Sequence, residues 1–245
     1  MAEHETWLTA LFNDHLAGVG QAALALVGAH TEDPARPWAN FITMQFVVAG
    51  VMIVLFALIR PRLSVDRPGK LQHIFEVFHG FFQDQIEDVG VHHGYKYLAF
   101  FGSLFFFILF CNLLGLIPTF ESPTMFAPVP LGCALATFAY FNIAGMREHG
   151  VLKYTAHFGG PVWWLAPIMF PIEIISTLAR PLSLTIRLYA NMYAGEQVTL
   201  AFLSMVPLGI PVVFFGLHVF VSFLQAYIFM LLTIVYVSGA VAHEH

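Results

Sequence analysis

The sequence predicts an all-α integral membrane protein with five membrane-spanning helices and one amphipathic interfacial helix. The last two of the five spans are unusually long. The 245 residues are 58% hydrophobic and only 10% charged, with a mean hydropathy of +0.76, whereas a soluble domain carries about 25% charged residues. Several apolar runs reach the roughly 20 residues that a spanning helix needs. This composition excludes a soluble enzyme and a disordered chain, and the net charge of −5 argues against a nucleic-acid binder.

We divide the chain into an N-terminal arm, residues 1–38, and a single transmembrane domain, residues 39–245. The acidic segment Glu3–Glu5 stands where a secretory signal peptide carries positive charge. We therefore expect a retained extracytoplasmic arm that rests on the bilayer surface.

The first span is predicted at residues 40–59, and an amphipathic helix at residues 71–89. The loop between them contains four of the ten Lys and Arg residues, Arg60, Arg62, Arg67 and Lys70. Because cation-rich loops stay in the cytoplasm, the N-terminus is expected outside. The amphipathic helix has an apolar face at steps of three and four, made of Leu71, Phe75, Phe78, Phe82, Ile86 and Val89. We expect this face to pack on protein at the cytoplasmic interface.

Residues 97–117 and 127–145 are predicted to form a helical hairpin. The two remaining apolar runs, 163–204 and 212–241, would be roughly 60 and 45 Å long as helices, well beyond a membrane core about 30 Å thick. They must tilt, bend or extend past the bilayer. Proline residues supply bends in the first run and a turn near Pro207 between the two. Five spans place the C-terminus in the cytoplasm.

The last third of the chain carries few charged residues, and each is a functional candidate. Arg187 stands within an apolar run, with Glu173 before it and Glu196 after it. A charge at mid-membrane costs at least about 2.5–3.5 kcal/mol, so such residues face a partner or a water-filled cavity. If the two long helices form a hairpin, Glu196 lies level with His218, and Arg187 lies level with Gln225.

These positions are predicted to follow one another along the membrane normal. On a continuous helix, Glu173 lies about 21 Å before Arg187, and Glu196 lies roughly 13 Å beyond it. Arginine is effectively never deprotonated, so it cannot pass a proton on, although it favours the ionised form of a nearby carboxylate. Two titratable stations separated by a fixed positive charge are what two half-channels with a barrier between them require.

Helical periodicity groups the polar residues around these stations. One face of the first long helix carries Ser183, Arg187, Asn191 and Ala194. One stripe of the second carries His218, Ser222 and Gln225. Structural roles stay open for three of these residues: His218 as a satisfied core histidine, and Asn191 and Gln225 as hydrogen-bonding groups between helices. Arg180 is expected to snorkel to the cytoplasmic interface, and Asn112 and Asn142 are expected to join helices.

The run ARPLSLTIRLYANMYAGE, residues 179–196, closely resembles the signature helix of subunit a of the F-type ATP synthases. That family carries an arginine, an asparagine four residues later, and then an M-x-A-G motif. Residues 224–245 resemble the family's C-terminal helix, including its glutamine, and the PGKLQ segment at 68–72 extends the likeness. The resemblance covers the chain from about residue 38 to its end.

The resemblance implies a stator subunit that catalyses no bond chemistry and stands beside a rotating ring of c subunits. The implied partners are that ring, the b subunits of the peripheral stalk and the rest of the ATP synthase complex. We expect the protein to lie in a bacterial plasma membrane. Arg187 matches the family's essential arginine, which faces the ring and blocks a direct proton leak. The family's two terminal helices form a steeply tilted hairpin, which would explain the length of the last two runs.

Five further residues match functional positions of that family. Glu196 and His218 match the extracytoplasmic half-channel, Asn191 and Gln225 stand beside the arginine, and Glu173 matches an acidic position near the cytoplasmic exit. The family often has an acid or amide at the start of the third span, where this chain has residues 126–129, FAPV. Glu121, just upstream, is a candidate substitute.

Two other function classes compete with this interpretation. A self-contained secondary transporter would be expected to show an internal repeat, which the sequence lacks. A haem-binding redox enzyme would need a second deep histidine besides His218. We expect no cofactor and no metal, and we predict that Cys111 and Cys133 are buried free thiols. The sequence leaves open whether the transported ion is H⁺ or Na⁺.

Overall fold

The computed structural model describes residues 5–27, 36–64, 68–90, 94–117, 120–151, 153–154, 166–205 and 210–242. Within these ranges its regular elements are all helices, joined by turns and short irregular segments, and it contains no strand. The α-helices there are α1 (Trp7–Val27), α2 (Asn40–Ile59), α3 (Lys70–Asp88), α4 (Leu98–Leu114), α5 (Pro128–His149), α6 (Ala166–Met205) and α7 (Ile210–Val241). Single 3₁₀ turns follow α2, precede α4 and precede α5.

Five of these helices correspond to the five predicted spans. Four of them, α2, α5, α6 and α7, are long and apolar enough to cross a membrane, and α4 is a shorter apolar helix of 17 residues. The all-α, multi-pass membrane fold is therefore confirmed. The predicted boundaries shift by a few residues, most of all at α5, which continues to His149. Residues 163–165 and the turn around Pro207 lie outside the described residues.

The amphipathic helix α3 packs on the protein, as its periodicity predicts. Five of its six predicted face residues belong to the apolar core or pack against it: Phe75, Phe78, Phe82, Ile86 and Val89. The sixth, Leu71 at the beginning of the helix, remains 51% exposed. The ring centroids of Phe82 and Phe105 are 5.1 Å apart, and those of Phe78 and Phe106 are 5.2 Å apart. Aromatic side chains thus join α3 to α4.

The last helix, α7, is the centre of the core. It packs against α4, α5 and α6, and its buried stripe at steps of four, four and three consists of Ala226, Met230, Ile234 and Val237, each 0% exposed. These steps follow the helical repeat, so one continuous face of α7 is buried against its neighbours. The two free cysteines, Cys111 in α4 and Cys133 in α5, are buried, as expected.

A buried asparagine links α4 to α7 and to the turn before α5. The Asn112 amide donates to the Ser222 carbonyl at 3.3 Å, and its oxygen accepts from the Thr124 hydroxyl at 2.5 Å. The Ser122 hydroxyl continues this network, since it donates to the Cys111 carbonyl at 3.0 Å. The expected role of Asn112 in joining helices is confirmed.

Close backbone contact between α5 and α7 depends on a glycine, and this generates a stability prediction. A Cβ atom at Gly145 would lie 2.9 Å from the Ala240 carbonyl oxygen and would overlap the Tyr154 ring. Gly145→Ala should therefore lower the free energy of unfolding by about 1–3 kcal/mol, as overpacking of a filled site does. Unfolding of the purified chain in mixed detergent micelles measures this change.

Gly132→Ala is the matched control, because it lies in the same helix and a Cβ there would meet nothing within 4 Å. Equal stability of the two variants would show that α5 and α7 do not approach as closely as described.

Candidate functional site

Helix α6 has a buried stripe and, beside it, an outward face that carries the arginine. Leu184, Leu188 and Met192 are at most 2% exposed and belong to the core. The predicted polar face lies outward, where Arg187 is half-buried and Asn191 is exposed. Large apolar side chains flank this face, with exposed fractions of 37% or more, among them Leu178, Leu182, Ile186 and Tyr193. Arg187 thus stands in an apolar surface that the described part of this chain leaves uncovered.

Helix α6 runs without interruption through Pro171 and Pro181. Arg187 therefore lies on the same helix as Glu173 and Glu196, about 21 Å from the first and about 13 Å from the second along the axis. These separations exclude a local salt bridge between the arginine and either carboxylate. Among the described residues, no carboxylate forms an ion pair with Arg187.

The two long helices pair in the register that the sequence predicts. The rings of Phe202 and Phe214 stack with centroids 4.3 Å apart, and the place of a Cβ atom at Gly195 is 3.6 Å from His218 Nδ1. The same antiparallel register brings Gln225 level with Arg187. Gln225 is only 6% exposed, so it lies on the core side of α7.

The structure brings Glu196 and His218 together at one cavity of about 510 Å³. Glu196 reaches it from α6 and His218 from α7, while Glu121 lines it from the loop before α5. The first residues of the N-terminal arm, Glu5 and Trp7, line it as well. Three carboxyl groups and an imidazole from four separate segments therefore share one space.

Several polar atoms beside this cavity have no partner among the described residues. Glu196 Oε2, His218 Nε2 and Ser222 Oγ are buried and accept or donate no hydrogen bond there. Buried polar groups in proteins are normally paired, often with ordered water. Because one water occupies about 30 Å³, the cavity has room for several. The arrangement can hold a chain of water between groups that bind and release protons.

A second, smaller cavity extends from His218 towards the arginine. It measures about 210 Å³ and is lined by Asn191, Gly195 and His218, among other residues. Asn191 is one helical turn beyond Arg187 on the same face. His218 thus borders both cavities, and together they lead from Glu121 and Glu196 to the turn next to Arg187.

Glu173 lies apart from these residues, towards the end of the molecule where α5 and α7 finish. The Tyr154 phenol marks this region, since it donates to Asn142 Oδ1 at 3.0 Å and interacts electrostatically with Arg180 and Glu173. Burial raises the pKa of Tyr154, while the Arg180 charge lowers it and the Glu173 charge raises it. The phenol therefore stays protonated at neutral pH and acts as a donor.

Arg180 lies between two aromatic rings of this region, because its guanidinium is 5.3 Å from the Tyr236 ring centroid and 5.8 Å from that of Phe141. The expectation that Arg180 snorkels to the cytoplasmic interface stays a prediction. Cation–π contact holds the charge against α5 and α7. Sequence reasoning could not anticipate this, because neither ring is near Arg180 in the chain.

Sequence reasoning also missed the contribution of the N-terminal arm, which was expected only to rest on the bilayer. Glu5 and Trp7 lie far from Glu196 and His218 in sequence, and no periodic pattern connects them. The only available signal was chemical, since Glu5 is an acidic residue near an aromatic one in a segment that was predicted to be extracytoplasmic.

Comparison with known proteins identifies the family. The profile of the ATP synthase A chain family matches residues 42–238. The chain is 63% identical over 235 residues to ATP synthase subunit a of Solibacter usitatus (strain Ellin6076), covering 96% of this chain and 100% of that protein. It is 49% identical over 243 residues to that of Koribacter versatilis (strain Ellin345), covering 99% of each. With that of Helicobacter hepaticus (strain ATCC 51449 / 3B1), the identity is 39% over 202 residues, 81% of this chain and 89% of the other. This chain therefore belongs to the ATP synthase subunit a family.

Proposed function

We propose that this chain is the proton-translocating stator subunit of a bacterial F-type ATP synthase. It offers two offset half-channels to the carboxylates of a c-subunit ring, with Arg187 as the barrier between them. It performs no bond chemistry, and ATP is handled by other subunits of the complex. The b subunits of the peripheral stalk hold it against the torque of the ring.

The observation that carries this proposal is the position of Arg187. A guanidinium on an exposed, apolar face of a membrane helix is expensive unless a partner supplies an opposite charge or water. No described carboxylate of this chain pairs with it. A ring carboxylate that passes this face would supply the charge, and the flanking apolar side chains would pack against the ring helices.

The cavity shared by Glu196 and His218 serves as the extracytoplasmic half-channel. A proton would enter through Glu121 and Glu196, pass the His218 imidazole and Asn191, and reach a ring carboxylate beside Arg187. Glu196 and His218 exchange protons with water, Asn191 and Gln225 orient water or the guanidinium, and Arg187 repels the proton from a direct passage. The positive charge also favours the ionised form of the carboxylate, which releases its proton on the other side.

Glu173 serves the cytoplasmic half-channel. From Glu173 to Glu196 the helix rises by about 35 Å, slightly more than the thickness of the membrane core. The two carboxylates therefore fit stations near opposite faces of one membrane. This assignment places the N-terminus outside and the C-terminus in the cytoplasm, in agreement with the cation-rich loop after α2. Membership of the subunit a family favours this function over that of a self-contained secondary transporter.

Removing the charge of Arg187 should abolish coupled transport. In inverted membrane vesicles that carry the assembled complex, Arg187→Ala should reduce ATP-driven acidification at least about tenfold, a change of about 1.4 kcal/mol or more in barrier height. The unenergised vesicles should also leak protons, because the barrier between the half-channels is gone. Quenching of a pH-sensitive dye measures both effects.

Arg147→Ala provides the control, because that arginine is exposed at the end of α5 and has no role in the proposed path. Immunoblots and soluble-sector ATPase activity confirm assembly. Near-normal acidification by the Arg187 variant would refute the barrier role.

Neutralising either carboxylate station should slow transport without opening a leak. Glu196→Gln and Glu173→Gln each remove one proton-exchanging group and leave Arg187 in place, so acidification should fall severalfold while unenergised vesicles stay tight. The same dye assay distinguishes this outcome from that of Arg187→Ala. Leaky vesicles in a carboxylate variant would contradict the division of roles, as would full activity in both.

A further inference from the structure

The N-terminal arm is fixed to the beginning of α2 by a polar network. The Asn13 side chain donates to the Trp38 carbonyl at 3.2 Å and accepts from the Trp38 N–H at 3.0 Å. The Trp38 indole donates to the Leu16 carbonyl at 2.9 Å, where α1 departs from helical geometry. The Thr6 N–H donates to Asn40 Oδ1 at 3.2 Å. Hydrogen bonds at several points, of which that between Thr6 and Asn40 is buried, hold α1 in one place against the transmembrane domain.

Glu5 is oriented by two partners of this network. Its Oε1 accepts from the Asn13 amide at 2.7 Å, and its Oε2 forms an ion pair with Arg36. The Glu5 side chain is only 22% exposed, whereas that of Arg36 is 64% exposed. The carboxylate is therefore the more buried member of the ion pair, and solvent and salt screen its charge less than that of the guanidinium.

The arm borders the cavity of Glu196 and His218. Glu5, Thr6 and Trp7 line it, and the Trp7 ring is 6.5 Å from the Phe120 ring on the loop that carries Glu121. The arm and this loop together form the wall of the cavity opposite the two long helices.

The lining points to a positively charged or proton-carrying occupant. Its charged side chains are the carboxylates Glu5, Glu121 and Glu196, and no Lys or Arg of the described residues lines it. His218, which is 9% exposed, also lines it, and its buried Nε2 has no hydrogen-bond partner among the described residues. Such an imidazole nitrogen, on a side chain that shares a cavity with several carboxylates, is a group that water or a proton would satisfy.

We propose that the N-terminal arm forms the mouth of the extracytoplasmic half-channel, with Glu5 as the carboxylate that attracts the ion there and with Arg36 and Asn13 as its positioning residues. This proposal rests on the proposed function and extends it to the arm, which precedes the residues 42–238 that the family profile matches. A cleft lined by one sign of charge and by low-dielectric walls concentrates the field, so that it raises the local concentration of counter-ions and their rate of entry.

The first experiment measures how the rate of ion entry depends on salt. Proteoliposomes that contain the complete complex synthesise ATP under an imposed pH gradient and potential, with the arm facing the acidic lumen. Glu5→Gln should slow synthesis at least about threefold at a lumenal ionic strength of about 0.01 M, where the Debye length is about 30 Å, and should match the unmodified complex at about 1 M. The outer solution is kept isotonic with sucrose.

Asp14→Asn is the matched control, since Asp14 is an exposed acid on the same arm and does not line the cavity. It should synthesise ATP at the unmodified rate at both salt concentrations. Equal rates for Glu5→Gln and the unmodified complex at low salt would overturn the proposal, and so would a deficit that salt does not change, which would indicate a purely structural effect.

A second experiment does not depend on transport. With Cys111 and Cys133 replaced by alanine, Thr199→Cys introduces a thiol that lines the cavity. The thiol should react rapidly with Ag⁺ that is added on the arm side, but slowly with a bulky, membrane-impermeant thiol reagent. Arg36→Ala, which removes the ion pair with Glu5, should raise the rate of reaction with the bulky reagent severalfold, whereas Arg36→Lys should leave that rate unchanged. An unchanged rate in Arg36→Ala would show that the arm does not wall the cavity.

Glu196→Gln, measured in the same proteoliposomes, separates the two proposals. Slow synthesis in Glu196→Gln together with normal synthesis in Glu5→Gln would overturn only the role of the arm. Normal synthesis in Glu196→Gln would overturn the proposed half-channel itself.

Discussion

A charge within an apolar helix needs a partner, and this constraint organises the last two helices of the molecule. Arg187 cannot reach Glu173 or Glu196 along α6, and its face points away from the core that Leu184, Leu188 and Met192 help to form. The buried stripe of α6 therefore packs against the protein, whereas the described residues leave the side that carries Arg187 and its exposed apolar neighbours uncovered. The polar stripe of α7 lies on the core side, and its first residue, His218, borders both cavities.

Packing and hydration are divided between different parts of the same helices. Towards its C-terminal end, α7 packs against α4 and α5, and none of its described residues there has a buried side-chain polar atom without a partner. Towards its beginning, His218 and Ser222 have polar atoms without partners among the described residues. A filled core holds the helices in register, and the open spaces beside it provide room for water. Neither property would be useful without the other, because a hydrated path needs walls that do not collapse.

Much of this arrangement could be predicted from the sequence, because local periodicity and length carry the information. The apolar face of α3, the five spans, and the level pairing of Glu196 with His218 all follow from steps along a helix. Contacts between distant segments carry no such signal. The rings of Phe141 and Tyr236 beneath Arg180 and the docking of Glu5 at the cavity depend on how helices pack in three dimensions. Glu121 stands between these two cases. A departure from the family pattern made it a candidate, and the structure places it at the cavity.

The enclosure of α7 has a mechanical consequence. A ring that turns against the exposed face of α6 would drag that helix sideways at every step, and a lone hairpin would bend under such a load. Here α6 is backed by α5 and α7, and α7 in turn is wedged between α4 and α5. Close-packed interiors have low compressibility and transmit strain. On the proposed function, the drag would be passed to the whole bundle, so the distance between Arg187 and the passing ring carboxylates would stay constant as the ring turns.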